Sequence, residues 1–359
     1  MCSTNMAIYA AKNGQFLAKN FPIATPDDKE VQIKVICSGV NPADIRHPRY
    51  AGLVDSIIGD DFCGRVTQTR STKFKVGDIV AGYTPPGLPR PYKYGTHQAF
   101  LCCPEDMCFH VPPSMPHEHA AALTVVAMTA ADTLYNLFSF PLPTESRRQD
   151  LGPLLIWGGS TSVGVCTIQL ARESGCFPIF VTASPERHET LRKLGATACF
   201  DYLSPKVVMD IQEATVQAGF QSIRYAFDAV GTKGRPSSAQ LLSKCASKDT
   251  ILVSAVGSLT GKFKMPLACK NIDVTIKPFS FWFKITLRKK PDEHWRAWKA
   301  LTWITENYGQ DQKFVLPQVR VFEGSGEEVI DIAEKVAIGK GGFGKIVVKQ
   351  PMNNSGVPI

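Results

Sequence analysis

The feature that most constrains this chain is a run of small residues between an apolar strand and a helix. Leu154 to Trp157 forms the apolar strand, Gly158 to Gly164 forms the turn, and a helix is predicted over Val163 to Glu173. Glycines let a backbone approach phosphate oxygens closely, and the helix start offers N–H groups and a positive dipole end. The strict G-x-G-x-x-G spacing is absent. The turn therefore fits a dinucleotide pyrophosphate site or an ordinary strand-to-helix loop.

A second apolar strand, Pro178 to Thr182, favours the dinucleotide interpretation and indicates which dinucleotide. It ends about 20 residues beyond the turn, where such sites choose between NAD and NADP. An NAD site would place an acid there, but Ser184 follows the strand and Arg187 comes three residues later. A hydroxyl and a guanidinium suit a 2′-phosphate, so NADPH is predicted. Glu186 argues against this and is interpreted as a solvent-facing helix residue, and Arg187 also fits a solvated helix arginine.

Composition excludes several other classes of protein. The 359 residues suffice for two domains with separate cores, and 20% of them are charged. The net charge of +8 is scattered rather than gathered in a basic stripe, so nucleic-acid binding is not expected. No apolar run reaches the length of a membrane span and the first residues lack a secretory layout, so a cytoplasmic protein is expected. The eleven cysteines include no C-x-x-C pair, and no metal site is expected.

Two sequence rhythms divide the chain. Residues 6–110 alternate in short segments separated by Gly, Pro and Asp, which is typical of a mostly β domain. From about residue 125, strands alternate with helices, which predicts a doubly wound parallel sheet and an α/β protein. The predicted elements are strands 154–157, 178–182, 198–201, 223–228 and 251–255 and helices 163–174, 185–194, 205–218 and 237–245. A helix over 294–308, a strand over 318–322, a helix over 327–338 and a strand over 345–349 are predicted to return to the first domain.

Six motifs in one order resemble the medium-chain dehydrogenase/reductase superfamily, in its zinc-independent quinone oxidoreductase and enoyl reductase branch. The resemblance spans nearly the whole chain. It rests on Val40–Asp44, Gly59–Val66, Phe74–Asp78, Gly158–Gly164, Phe227–Gly231 and Gly344–Val348. It implies a GroES-like, mostly β catalytic domain over residues 1–124 and 291–359 and a Rossmann NADP-binding domain over residues 125–290.

The same resemblance bears on the chemistry. Zinc-dependent members carry a cysteine where Asn41 stands and Gly-His-Glu where Gly59-Asp60-Asp61 stands, and both ligand sets are missing. Without a Lewis acid, the remaining chemistry is hydride transfer to a double bond that is already electron-poor, such as that of an α,β-unsaturated carbonyl.

Within this branch the chain is similar to fungal trans-acting enoyl reductases of polyketide synthases, of the lovastatin enoyl reductase type. The similarity lies in Val40–Arg46, Pro141–Pro143, Gly158–Thr161, Ala183–Pro185 and Phe200–Tyr202. The lovastatin-type enzyme has a lysine where this chain has Arg46. A role for that side chain as a proton donor is thereby in doubt, because arginine does not give up its proton.

The resemblance also assigns residues to the cofactor, with the nicotinamide between the domains. These are Ala43, Asp44, Ile45, Arg46, Ser160, Thr161, Ser162, Val163, Gly164, Val165, Ser184, Pro185, Glu186, Arg187, Tyr202, Ala255, Val256, Ile346 and Val347. Ser184, Arg187 and Tyr202 would surround the 2′-phosphate. Tyr202 also fits a half-buried packing residue, and Ile346 and Val347 also fit a buried strand.

Asn41, Arg46 and Thr129 are the candidate catalytic residues. Asn41 would hold the cofactor or the substrate carbonyl, or else serve the turn before Pro42. Thr129, expected at the start of a helix that lines the cleft in this family, would bind the thioester carbonyl or its own helix. The candidate substrate residues are Met128, Thr129, Ala130, Ala131, Asp132, Thr133, Leu134, Tyr135, Thr275, Ile276, Lys277, Pro278 and Phe279. The aromatic run from Phe279 to Phe283 also fits a core or a dimer edge.

Together these features predict a trans-acting enoyl reductase of polyketide biosynthesis. NADPH would deliver hydride to the β-carbon of an α,β-unsaturated acyl thioester carried by a polyketide synthase, and the protein would be a monomer or a homodimer. Two alternatives share the same motifs: a free-standing NADPH-dependent quinone or enone reductase, and a non-redox scaffold or cyclase-like protein on this fold. None of the seven histidines forms a convincing catalytic group in the sequence.

Overall fold

The protein is described by a computed structural model that covers residues 5–146, 148, 151–232, 234–256, 261–278, 282–311 and 313–353. Within them the strands are β1 (Asn5–Ala10), β2 (Phe16–Phe21), β3 (Glu30–Gly39), β4 (Ser56–Ile57), β5 (Asp61–Thr69), β6 (Ile79–Tyr83), β7 (Phe100–Pro104), β8 (Cys108–His110), β9 (Leu154–Trp157), β10 (Ile179–Thr182), β11 (Ala198–Phe200), β12 (Ile223–Asp228), β13 (Ala246–Ser254), β14 (Val274–Ile276), β15 (Ile285–Leu287), β16 (Val319–Phe322) and β17 (Lys345–Lys349). The helices are α1 (Pro42–Arg46), α2 (His117–Ala121), α3 (Thr124–Ala131), α4 (Ser162–Glu173), α5 (His188–Leu194), α6 (Val207–Gln217), α7 (Ser238–Cys245), α8 (Pro291–Glu306) and α9 (Gly326–Ala337). None of these helices is long and apolar enough to cross a membrane.

The chain folds into two compact units, each built from more than one segment. The first unit contains the residues up to Val125, Cys269–Lys290 and the residues from Pro317 onward. The second unit contains Val126–Ala268 and Pro291–Leu316. The first unit holds the antiparallel sheets and the second holds the parallel sheet, so the predicted pairing of a mostly β domain with a Rossmann domain is confirmed.

The second unit is built on a parallel sheet in the order β11-β10-β9-β12-β13. Strand β9 is the first of these in the chain but lies at the centre, so the order reverses beside it, as expected for a doubly wound sheet. Apolar side chains of β9, β10, α6 and α7 form one core, among them Leu155, Phe180, Ile211 and Leu242. Strand β13 begins five residues before the predicted strand because its first half, Ala246–Thr250, is mostly polar and shows no apolar pattern.

The first unit is built on a larger sheet in the order β16-β17-β3-β5-β6-β8, with β7 paired to β3, and a smaller sheet in the order β2-β1-β4. Strand β17 lies antiparallel to β3, with Val347 opposite Gly39. The last strand of the chain therefore returns to the first unit, as the sequence predicted. Helix α9 packs beside it through a buried cluster that includes Val329, Ala333 and Val348.

Two segments fall in different units from those the sequence suggested. Helix α8 belongs to the second unit, where Arg296 donates to the carbonyl oxygens of Tyr135 at 3.3 Å and Phe140 at 3.2 Å. Residues 269–290 belong to the first unit, where Leu88 N–H donates to Thr275 O at 2.7 Å. Both placements depend on contacts between residues far apart in the chain, which no local pattern reveals.

Candidate functional site

The glycine turn lies at the carboxyl end of β9 and is packed too closely for side chains at key positions. Gly158 has a φ of +89°, and a Cβ there would overlap the side chain of Val230. A Cβ on Gly164 would overlap the carbonyl oxygen of Gly158, so glycine lets α4 begin directly against the turn. Thr161 caps α4, since its hydroxyl accepts from Gly164 N–H at 3.0 Å and donates to Gly158 O at 2.9 Å.

This turn leaves backbone donors at the start of a helix of 12 residues. The N–H groups of Ser162 and Val163 meet no protein acceptor in the part of the chain that the structure describes. Both residues are half-buried rather than packed in the core. Two N–H groups at the positive end of a helix dipole, beside glycines that allow close approach, fit a pyrophosphate.

The edge predicted to bind the 2′-phosphate is formed by the ends of two neighbouring parallel strands. In the pairing of β10 with β11, Thr182 lies opposite Phe200, and each strand ends at that residue. Ser184 and Tyr202 each come two residues later, so they follow the strands at the same edge of the sheet. Ser184 is half-buried and Tyr202 is 42% exposed, so the side chain of Tyr202 is open to a ligand rather than packed in the core.

A short helical turn, Pro185–Arg187, follows Ser184 and carries the other two residues of this edge. Arg187 N–H donates to Ser184 O at 2.9 Å, and the Arg187 side chain is half-buried. Glu186 is exposed, consistent with its interpretation as a solvent-facing residue.

The third predicted cofactor segment, Ala255 and Val256, follows β13 at the same edge of the sheet. Ala255 N–H donates to Asp228 O at 2.9 Å, and the side chain of Val256 fills the space where a Cβ on Gly231 would lie. The carboxylate of Asp228 accepts from Gly231 N–H at 3.0 Å and so orders the loop after β12. The fold thus gathers three separate segments of the second unit, each predicted to bind the cofactor, at one sheet edge.

The first unit contains a buried cluster around Asn41, which precedes α1. The amide Nδ2 of Asn41 donates to Asp61 Oδ2 at 2.9 Å, and its Oδ1 accepts a hydrogen bond from Lys345 Nζ. Lys345 Nζ also lies 3.4 Å from Asp61 Oδ2, with side chains 5% and 0% exposed. Val125 N–H donates to the other oxygen of Asp61 at 2.7 Å. Burial raises the pKa of Asp61, while Lys345, Asn41 and the Val125 N–H act in the opposite direction.

Sequence reasoning assigned a role to Asn41 but none to Asp61 or Lys345. Lys345 is the first residue of β17, directly before an apolar run, and this placement of a charge was the signal available. A lysine so deeply buried requires a carboxylate partner, and Asp61 supplies it.

A second cation pairs with the neighbouring carboxylate. Arg90 donates through Nη2 to Asp60 Oδ1 at 2.8 Å, to Gly59 O at 2.7 Å and to Thr84 Oγ1 at 3.2 Å. Both side chains are at most 10% exposed. Adjacent carboxylates at the start of β5 are therefore each paired with a buried cation.

Asp44 connects this cluster to a further buried chain. Its Oδ2 accepts from Asn41 N–H at 2.8 Å and lies 3.0 Å from His97 Nε2. His97 Nδ1 lies 2.8 Å from Ser38 Oγ, and Gln350 Nε2 lies 3.3 Å from the same oxygen. The sequence revealed no catalytic group among the histidines, and it did not reveal that His97 joins this buried hydrogen-bonded cluster. Its partners are 53 and 59 residues away along the chain, beyond the reach of any motif.

Arg46 is held in place by a helix. Its Nε donates at 3.0 Å to the carbonyl oxygen of Ala337, the last residue of α9. A guanidinium at a helix C-terminus is favoured by the dipole. Burial lowers the pKa of Arg46, and nearby Tyr50 opposes this, but arginine remains protonated.

The other cofactor residues assigned to the first unit differ in exposure. Ala43 is half-buried, whereas Ile45, Ile346 and Val347 are at most 8% exposed. Ile45 and Ile346 belong to the same apolar core cluster, and Ile346 O accepts from Val40 N–H at 2.9 Å. The side chains of Ile346 and Val347 are therefore buried strand residues, which is the alternative to cofactor binding that the sequence left open.

The predicted substrate segment Met128–Tyr135 lies in the second unit, and all of its residues except Thr129 are buried. Thr129 was expected at a helix start, but α3 begins five residues earlier, at Thr124. The helix continues beyond α3 as a π-helical turn over Asp132–Leu137, because no glycine or proline interrupts the apolar run. The backbone oxygen of Thr129 accepts from the Thr133 hydroxyl at 2.9 Å.

The second predicted substrate segment belongs to the first unit. Thr275 and Ile276 lie in β14, which pairs with β15, and Lys277 N–H donates to Ala51 O at 2.8 Å. Thr275, Ile276 and Pro278 are half-buried and Lys277 is exposed. Phe279, with the following Ser280 and Phe281, lies outside the described residues.

Two family profiles match this chain in the order of its two units. The profile of the alcohol dehydrogenase GroES-like domain matches residues 27–113, and the profile named zinc-binding dehydrogenase matches residues 162–279. Together they cover more than half of the chain, and each falls on the part of the fold it describes. The chain belongs to the medium-chain dehydrogenase/reductase superfamily.

Relatives of this dehydrogenase/reductase include fungal enzymes named trans-enoyl reductases. One from Aspergillus japonicus is 35% identical over 208 residues, covering 56% of this chain and 59% of that enzyme. One from Alternaria alternata is 28% identical over 273 residues, covering 75% of this chain and 74% of that enzyme. The match to the Aspergillus relative thus spans less than two thirds of that enzyme.

Solved structures share the dehydrogenase/reductase fold. The CurK enoyl reductase has a TM-score of 0.71 at 18% identity and covers 97% of this chain and 100% of that chain. A mycobacterial protein solved in complex with NADPH has a TM-score of 0.65 at 19% identity, with 97% and 100% coverage. At these identities the likeness shows the fold alone.

One of the matching profiles is named for zinc, but the side chains of Asn41, Asp60 and Asp61, at the positions of the family's zinc ligands, do not fit that metal. The position of the family's cysteine ligand holds Asn41, whose amide oxygen faces the ammonium of Lys345. The carboxylates of Asp60 and Asp61 are paired with Arg90 and Lys345. A zinc ion needs thiolate, imidazole or free carboxylate donors, and two resident cations would repel it.

Proposed function

We propose that the protein is a zinc-independent, NADPH-dependent enoyl reductase that acts in trans on α,β-unsaturated acyl thioesters carried by a polyketide synthase. The observation that carries this proposal is the buried contact of Asn41 and Asp61 with the ammonium of Lys345, since Asn41 and Asp61 stand in the two motifs where zinc-dependent members carry metal ligands. Without a Lewis acid to polarise an alcohol or a simple carbonyl, a conjugated double bond is the acceptor that needs least activation.

The cofactor part of the proposal is supported by the second unit. Ser162 and Val163 would hold the pyrophosphate through their N–H groups at the start of α4. Ser184, Arg187 and Tyr202 would hold the 2′-phosphate through their hydroxyl and guanidinium groups. NADPH carries this phosphate and NADH lacks it.

Bound NADPH would supply the hydride, and the chain would orient the reactants. Asn41 keeps a second Nδ2 hydrogen beyond the one given to Asp61, and we assign it to the nicotinamide carboxamide or the thioester carbonyl. Thr129, the one half-buried residue of Met128–Tyr135, would donate to the thioester carbonyl and stabilise charge on that oxygen. Arg46 keeps its proton and binds α9, so the proton for the α-carbon would come from solvent.

The substrate and partner part is supported by the names of the fungal relatives. Relatives at 35% and 28% identity are named trans-enoyl reductases. A free-standing quinone reductase and a non-redox scaffold would use the same cofactor edge, so the acceptor must separate the three.

The test is NADPH oxidation by the purified full chain, followed by absorbance, with an enoyl thioester on a pantetheine arm and with a simple quinone. Turnover of the thioester with NADPH but little with the quinone or with NADH is expected, and it should survive dialysis against a zinc chelator. Turnover of the quinone alone would identify a free-standing reductase. NADPH binding without turnover of either acceptor would identify a scaffold.

A further inference from the structure

A histidine with no place in the proposed reaction lies at the centre of the buried polar chain of the first unit. His97 and Ser38 are 0% exposed and Asp44 is 3% exposed. Their order is that of a hydrolytic triad, but neither the hydroxyl nor the imidazole reaches solvent, so an outside substrate cannot meet Ser38. The hydrogen bonds among Ser38, His97 and Asp44 must therefore act on other parts of the protein rather than on a substrate.

The direction of each hydrogen bond in the chain follows from chemistry. Asp44 as a carboxylate only accepts, so His97 Nε2 must carry the hydrogen of the 3.0 Å contact. In the neutral ring Nδ1 is then the acceptor, and the Ser38 hydroxyl donates to it at 2.8 Å. Gln350 Nε2 donates in turn to Ser38 Oγ at 3.3 Å. Every donor points toward Asp44, and the chain fixes one tautomer of His97.

Asp44 connects this row of hydrogen-bonded side chains to the backbone of α1. It is the third residue of α1, a helix of five residues that is too short to be stable alone. Its Oδ2 accepts from Asn41 N–H at 2.8 Å, which closes the start of the helix. Its Oδ1 is buried and meets no donor among the residues the structure describes, so Asn41 and His97 alone hold the carboxylate.

We infer that His97 is a positioning residue for cofactor binding, acting through Asp44 to order the turn Ala43–Arg46. The inference rests on the proposed function and on the cofactor contact that the family resemblance assigns to this turn. His97 does not touch the cofactor in this account. Loss of the His97 Nε2–H leaves Asp44 with one donor, so the turn is less ordered in the free protein. Ordering the turn then costs part of the free energy of cofactor binding.

Two matched substitutions separate positioning from packing. A glutamine amide lies as many bonds from Cβ as Nε2 of histidine, so His97→Gln keeps a donor for Asp44 and loses the acceptor for Ser38. An asparagine amide corresponds to Nδ1, so His97→Asn keeps the Ser38 contact and loses the donor for Asp44. Each variant loses the ring and one hydrogen bond. Ser38→Ala removes the same contact as His97→Gln and leaves the histidine in place.

The experiment measures NADPH affinity of the full-length variants by the fluorescence of NADPH, together with hydrogen exchange over residues 40–52 without cofactor. His97→Asn should weaken NADPH binding by about tenfold and speed exchange in this turn, since one charge-assisted bond is lost. His97→Gln and Ser38→Ala should stay within about twofold of the wild type. The two His97 variants should lose similar amounts of thermal stability, since each loses the ring and one hydrogen bond.

The outcomes against the inference are distinct from those against the function. Equal weakening in His97→Asn and His97→Gln would reduce the histidine to a packing residue and overturn the inference. Unchanged exchange in His97→Asn would overturn it whether or not NADPH binds. A wild-type protein that binds no NADPH would refute the proposed function, and with it the role of His97 in cofactor binding.

Discussion

Replacing Lys345 with methionine removes the charge that neutralises Asp61 while keeping a side chain of similar length. Removing one partner of a buried ion pair costs about 3–5 kcal/mol, because the other charge is left without compensation. Asp61 would keep two donors, Asn41 Nδ2 at 2.9 Å and Val125 N–H at 2.7 Å. We therefore expect a loss at the lower end of this range, about 3 kcal/mol. That is a large share of the free energy of unfolding of a typical domain, which is about 5–15 kcal/mol.

Hydrogen exchange of the β3 and β17 amides measures this loss in the unit that contains the pair. Four of the five tryptophans, Trp157, Trp295, Trp298 and Trp303, lie in the second unit, so tryptophan fluorescence would report mainly on the other sheet. The β17 to β3 ladder, with Val347 opposite Gly39, is the element that Lys345 begins. A cost of about 3 kcal/mol corresponds to exchange faster by roughly a hundredfold in these strands.

The control removes both charges. In the double variant Asp61→Asn with Lys345→Met no uncompensated charge remains, so exchange should return to within about 1 kcal/mol of the wild type. Wild-type exchange rates in Lys345→Met, or a double variant as unstable as the single one, would contradict the assignment of a buried ion pair.

Three further substitutions test the cofactor edge and the second unit. Gly164→Ala should abolish detectable NADPH binding in a fluorescence titration, since the methyl group would overlap the turn against which α4 begins; wild-type affinity would contradict this packing. The double variant Ser184→Ala with Arg187→Ala should lower the preference for NADPH over NADH by about tenfold or more in kcat/KM, and an unchanged ratio would remove these residues from the 2′-phosphate site. The pKa of Glu145 is lowered chiefly by a hydrogen bond from Arg296, so this pair stabilises the fold above about pH 4.5 and the contribution is lost as the pH falls further. Arg296→Met should lower the urea midpoint at pH 7 by an amount equivalent to about 1 kcal/mol and less at pH 3, and an equal loss at both would contradict the pairing.

The parallel sheet was predictable because its central strands β9 and β10 are buried throughout and therefore appear as mostly apolar runs. Strands β9, β12 and β17 have the predicted bounds. The first half of β13 was missed because none of the residues Ala246–Thr250 is buried. Only Ala246 among them pairs with β12, opposite Ile223, and the register then shifts before Tyr225 pairs with Ile251. A pattern of apolar residues marks side chains that are buried, so a stretch of strand without buried side chains leaves no such pattern in the sequence.

That the predicted cofactor segments lie at one edge of the sheet was predictable for a different reason. The turn after β9 and the residues after β10 are set by local spacing along consecutive strands, and parallel strands bring their carboxyl ends to one edge. The polar clusters of the first unit have no such local signal. Lys345 contacts Asn41 across 304 residues, and Gln350 contacts Ser38 across 312, so only the closing of the sheet by β17 makes these groups neighbours.

The surroundings of Arg46 and Thr129 also could not be predicted from the sequence. A sequence places both near a reactive centre by resemblance, but only the fold shows that Arg46 Nε donates to the end of α9 and that Thr129 lies well inside α3. The neighbours of a long side chain depend on which helix end or loop packs beside it, and that is a property of the tertiary structure.

In the proposed reaction, NADPH delivers hydride to the β-carbon of an enoyl thioester. The most direct measurement uses NADPH with deuterium at both C4 positions of the nicotinamide and an enoyl pantetheine thioester, and locates the label in the product by mass spectrometry and NMR. One deuterium is expected at the β-carbon and a solvent-derived hydrogen at the α-carbon. Deuterium on the carbonyl carbon, or oxidised NADPH without a saturated thioester, would contradict it.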